Sequence, residues 1–118
     1  MAQENRQSTR YTEIGRVNAP EICAISGILD DISAEGCKIH YSFPVVLDLE
    51  NEYELKISPL HNSDETPLNL ICIPQWVNEK DGNTFIGFKI TYSPDANRLS
   101  DFIKYLKNLS TDQIPAII

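Results

Sequence analysis

A chain of 118 residues, 42% of them hydrophobic, has room for one modest core and no stretch near the ~20 apolar residues that span a bilayer. Its net charge of −7 excludes the basic field that non-specific DNA, RNA or acidic-membrane binding needs, though not a small anionic ligand held by local charge. Three cysteines, Cys23, Cys37 and Cys72, lie far apart in apolar runs without C-x-x-C spacing, so they read as small buried hydrophobes and not as a disulfide framework or zinc site.

The first residues, Met1 to Arg6, are polar and lack the apolar core of a signal peptide, so the expected location is cytoplasmic. Residues 1–10 have no hydrophobic period and read as a mobile arm. Positions 11–110 read as the folded unit, and 111–118 as a tail holding Pro115. Arg6, Arg10 and Arg16 are three of the ten basic residues, so a cationic patch is expected on an otherwise acidic body.

Beyond the arm the pattern is strand-like. Ile22 to Leu29 is a mixed apolar run. Cys37, Ile39 and Tyr41 alternate with Lys38, His40 and Ser42, and Tyr53, Leu55 and Ile57 alternate with Glu54, Lys56 and Ser58, each a half-buried strand. Leu68 to Val77 is apolar in both phases, which predicts a strand buried on both faces. Asp81-Gly82 separates it from the Ile86, Phe88, Ile90, Tyr92 alternation, a strong hairpin signal.

The period then changes to helical. Leu99, Phe102, Ile103, Leu106 and Leu109 form one apolar face. Ser93 and Pro94 predict an N-cap and a first-turn proline, with Asp95 favourable to the helix dipole. About six strands in hairpin order and one terminal helix predict a mainly β fold. The architecture expected is a six-stranded antiparallel barrel with the C-terminal helix over one open end.

Two polar motifs stand out. Arg6 and Arg10 form R-x-x-x-R on the arm; Asp31, Ser33 and Gly36 form D-x-S-x-x-G after an apolar run. Taken singly, the first reads as a solvated basic tail. The second reads as turn punctuation, with Asp and Ser bonding nearby backbone and Gly free to take positive φ. Together they gather two guanidinium forks, a carboxylate and a hydroxyl. Arg forks suit phosphate oxygens and guanine O6 and N7, and a carboxylate accepts from guanine N1–H and N2–H.

The order and spacing of these motifs resemble the PilZ domains, with Arg10 and Asp31 separated by 20 residues. Gly27-Ile-Leu-Asp-Asp-Ile-Ser resembles that family's second strand and D-x-S corner, Ile73-Pro-Gln-Trp76 its Trp-bearing strand, and Phe85-Ile-Gly87-Phe88 its hairpin return. The terminal helix, Asp95 to Leu109, falls where the family has one, so the likeness runs from about Arg6 to Leu109. The resemblance implies a PilZ-like split barrel that binds cyclic di-GMP as a non-enzymatic receptor, without a cofactor. An unknown downstream protein partner is implied, in motility, biofilm or virulence control, with no DNA, RNA or membrane insertion.

The resemblance also implies site roles. Arg6 and Arg10 would clamp phosphates and guanine edges, Asp31 and Ser33 would meet a guanine edge and backbone, and Gly36 would allow a tight turn under the base. Trp76 has two readings, a stacking wall for a purine or a core or barrel-face aromatic. Many members carry a further Arg just before R-x-x-x-R; here Asn5 stands there, which bears on affinity and on whether one ligand or a stacked pair binds.

Other chemistries find little support. His40 and His61 have no neighbours at metal-ligand spacing, and Asp31, Ser33 and His40 lack the G-x-S-x-G setting of a hydrolase. Asp30 and Glu35 read as part of a solvated acidic surface. The alternative to a nucleotide receptor is a PilZ-like protein-interaction module that binds no nucleotide.

Overall fold

In the computed structural model, residues 14–60 and 66–117 are described, with side chains as far as Asn108. Six strands, β1 (Gly15–Ala19), β2 (Cys23–Ile32), β3 (Gly36–Tyr41), β4 (Tyr53–Pro59), β5 (Leu68–Lys80) and β6 (Asn83–Tyr92), precede one helix, α1 (Ala96–Ile117). They close an antiparallel barrel in the order β1-β2-β3-β6-β5-β4. The mainly β barrel with a C-terminal helix is therefore the fold that the periodicities predict.

Side-chain alternation drives the closure. Val17, Leu29, Ile39, Leu55, Ile57, Leu70 and Ile86 are fully buried at alternating positions of their strands. Each buried side chain of this size contributes roughly 1.5–3 kcal/mol. Strict alternation would turn Asp31 inward, two residues after Leu29. A bulge in β2 prevents this, because Leu29 pairs with Ile39 and Asp31 with Lys38, leaving Asp30 as an extra residue. Asp30 and Asp31 both stay outside the core, and Ile32 returns to it at 7% exposure.

The β5–β6 hairpin turns at Asp81 and Gly82, both with positive φ (54° and 81°), as a tight two-residue loop requires. The long β3–β4 connection is pinned over the barrel end by buried Thr84. Its hydroxyl accepts the Val45 N–H at 3.0 Å and donates to the Phe43 carbonyl at 2.9 Å.

Three expectations need correction. β5 is not buried on both faces: Leu68, Leu70 and Cys72 point inward, Ile71 and Ile73 are half-buried, and residues from Gln75 onward are exposed. Its pairing with β4 ends at Cys72, and a second bulge at Gln75 swings the strand outward. The helix begins at Ala96, not at Pro94. The Ser93 hydroxyl accepts the Asp95 N–H at 3.1 Å, as an N-cap does, and donates to the carbonyl of Asn69 on β5 at 2.7 Å, while the Asp95 carboxylate accepts the Asn69 N–H at 2.8 Å. These groups clamp the foot of α1 to the barrel. Leu99 and Phe102 then enter the core, with Ile103 and Leu106 packed against it. The helix also continues past Leu109 and through Pro115 to Ile117, where a tail was expected.

Candidate functional site

The D-x-S-x-x-G corner closes the β2–β3 hairpin. The Ser33 N–H donates to the Gly36 carbonyl at 2.8 Å, and the Ser33 hydroxyl accepts longer bonds of 3.3 Å from the N–H groups of Glu35 and Gly36. The Glu35 carbonyl accepts the Ile90 N–H at 2.8 Å, so the corner is also tied to β6. One Asp31 oxygen, Oδ1, accepts the Ile32 N–H at 2.9 Å. The corner is thus built by its own chain, as turn chemistry requires, and its exposed carboxylate still faces solvent.

Gly36 needs a different explanation from the one the sequence suggests. Its φ is not positive. A β-carbon there would lie 2.4 Å from the Phe88 carbonyl oxygen, so glycine is required for the close approach of β3 to β6.

Beside this corner is a shallow open cleft of about 240 Å³ on the barrel surface. Asp31, Ser33, Gly36 and Trp76 line it, bringing the D-x-S-x-x-G residues against the β5 aromatic. Trp76 is no core residue, with 43% of its surface exposed. Its indole lies across Gly87, its partner on β6, where an added β-carbon would come within 2.3 Å of the ring. The ring is therefore seated on bare backbone as one wall of the cleft. Arg6 and Arg10 lie outside the described residues.

Lys38, Gln75 and Gly87 also line the cleft, and the alternation gave no reason to single them out. Lys38 looks like any outward residue of a half-buried strand; only the bulged register, which sets it opposite Asp31, exposes its place. Cys37 and Phe88, both buried, also line the cleft. A hydrogen bond with Cys72, reinforced by burial, pushes the Cys37 thiol well above its ordinary pKa, so it stays neutral. All three cysteines are free thiols.

Next to the cleft, Asp30 is not simply a solvated surface carboxylate. Both its oxygens lie 2.8–2.9 Å from His40 Nδ1. The His40 ring packs on Phe85 at 5.3 Å between centroids. His40 is therefore partnered by Asp30, not by Asp31, and Ser33 is engaged in its own turn; the three do not form a nucleophile–base arrangement. Among the described residues no group of three or more His, Cys, Asp or Glu could hold a metal ion, and no helix is long and apolar enough to cross a membrane. Comparison with known proteins finds no matching family model, curated protein or solved structure.

Proposed function

We propose that this chain is a PilZ-type receptor that binds cyclic di-GMP in the cleft and passes the signal on by changing the surface it offers to a protein partner. One observation carries this reading: the local motif of Asp31, Ser33 and Gly36 and the remote Trp76 line a single cleft. The carboxylate is an acceptor for guanine N1–H and N2–H, and the indole offers a face for a purine. Support also comes from where the chain enters the barrel. Gly15 pairs with Leu29, two positions before Asp31 on β2. Arg10 is five residues before Gly15, a span of at most roughly 18 Å. Its guanidinium can therefore be carried to the cleft.

In this mechanism the protein makes and breaks no covalent bond. Arg6 and Arg10 take phosphate oxygens and guanine Hoogsteen edges, and the ligand draws residues 1–10 against the corner. The free energy of those contacts sets how far the population shifts toward the ligand-bound surface. Control of motility, biofilm formation or virulence would lie downstream.

Titration calorimetry with cyclic di-GMP, cyclic di-AMP, GTP and GMP tests the proposal. Cyclic di-GMP should bind far better than the others, because adenine presents an N6 donor where guanine presents O6, setting donor against donor. Equal binding of cyclic di-AMP would remove the base-reading roles. A second reading, a docking module that binds no nucleotide, is favoured by exposed Trp76 and Val77 on β5. Past Cys72 that strand pairs, among the described residues, with β6 alone. Absence of heat with every nucleotide would favour it.

A further inference from the structure

We infer that Lys38 is a second anion anchor of the cleft, one carried by the barrel itself and separate from the arginines of the arm. The inference takes the identity of the ligand from the receptor reading above, but not the presence of an anion. Lys38 stands opposite Asp31 in the β2–β3 register and lines the same cleft. A Lys–Asp pair facing each other across antiparallel strands would ordinarily close into an ion pair. Here the ammonium rests over the Phe85 ring, 5.7 Å from its centroid. Among the described residues no carboxylate bridges to it, and Asp31 spends one oxygen on the Ile32 N–H.

Two opposite charges thus stand side by side, each with capacity left over. That arrangement suits a ligand carrying both donor edges and anionic oxygens: Asp31 takes the donors and Lys38 the oxygens. A cation–π contact at an exposed site is weak, so an anionic oxygen in the cleft competes for the ammonium with a charge-assisted bond. The long, rotatable Lys stem allows that exchange without backbone movement. Lys38 is also, among the described residues, the one cation lining the cleft of a chain whose net charge is −7. It would offset the repulsion that an anionic ligand meets near this body.

The test compares wild type, Lys38→Gln and Lys38→Arg by calorimetry with cyclic di-GMP at low and high salt. NMR of the wild type follows the Lys38 side chain and the Phe85 ring, with inorganic pyrophosphate as a base-free probe. If Lys38 is an anchor, Lys38→Gln binds cyclic di-GMP about 10- to 100-fold more weakly and with a shallower salt dependence, at unchanged melting temperature. Lys38→Arg restores most of the affinity, and ligand shifts the Phe85 ring signals as the ammonium leaves. Tight wild-type binding matched by Lys38→Gln would overturn the role of Lys38 and leave the receptor reading in place. No binding of cyclic di-GMP, with pyrophosphate still moving the Lys38 and Phe85 signals, would overturn the receptor reading and keep the anchor. Silence toward both compounds would overturn both.

Discussion

The indole of Trp76 rests directly on the backbone of Gly87, so closely that no other residue fits beneath it without displacing the ring. In Gly87→Ala the new methyl group would meet the indole at about 2.3 Å. The ring must swing away and the wall of the cleft with it. We expect a shifted tryptophan emission spectrum, since this is the only Trp in the chain, and weaker cyclic di-GMP binding. The barrel itself should survive, because Trp76 lies outside the core. Unchanged emission and affinity would show that the ring's seat does not matter to binding.

Arg10→Ala and Arg6→Ala should each cost about 1.5–3 kcal/mol of cyclic di-GMP binding, the scale of a hydrogen bond to a charged group. The melting temperature should stay put. Calorimetry and thermal melts on the same samples check both halves. Normal affinity in either variant would assign that arginine to a solvated basic tail.

The local role of Asp31 and its proposed ligand-facing role separate by substitution. Its Oδ1 accepts the Ile32 N–H, a bond that the side-chain carbonyl introduced by Asp31→Asn would keep. That variant should therefore fold as well as wild type and retain partial binding. Asp31→Ala loses the local bond and the guanine acceptors together, with a binding loss of ~1–3 kcal/mol expected. A lowered melting point in Asp31→Ala with affinity intact would leave Asp31 as turn chemistry alone.

Tyr41 carries a buried hydroxyl for which no hydrogen-bond partner is found among the described residues. Burial, with a smaller push from Cys23, raises its pKa to about 12. The unfolded chain releases this proton near pH 10, while the folded chain holds it up to about 12. Stability is therefore unaffected by this group below pH 10 and falls as pH rises from there toward 12. Tyr41→Phe should flatten that alkaline decline. It should also stabilise the protein at neutral pH, by about 1 kcal/mol, since an unpaired buried hydroxyl is removed. Urea denaturation at about pH 7, 10 and 11 measures both effects; a destabilised variant would mean that the hydroxyl has a partner.

Much of the barrel is legible in local pattern, because a half-buried strand writes its inward face at every second residue. Cys37, Ile39 and Tyr41 do so, as do Tyr53, Leu55 and Ile57, and Asp81-Gly82 has few uses other than a tight hairpin. What is not legible depends on distant partners. The pairing of β1 with β4 leaves no mark on either segment. Ser93 and Pro94 carry a proper helix-start signal, and the Ser93 hydroxyl does accept the Asp95 N–H, yet the helix opens at Ala96, with Ser93 and Asp95 both also bonded to Asn69, remote in sequence. The cleft was half visible for the same reason. Asp31, Ser33 and Gly36 form a compact local motif, whereas Lys38 and Gln75 acquire their positions only from the two bulges.

The bulge at Asp30 gives β2 a spare residue, one that the ladder with β3 does not count. Without Asp30, Leu29, Asp31 and Ile32 would follow one another in plain alternation, inward, outward, inward, and the acidic corner would keep its outlook. What would vanish is the carboxylate beside His40. The display of the corner and the partnering of the histidine are therefore separable, although two adjacent aspartates supply them. A chain built on this plan can gain or shed that residue without moving its corner. Screens that fix the spacing between the preceding core residue, here Leu29, and the acid that opens the motif would pass over chains that lack the extra residue.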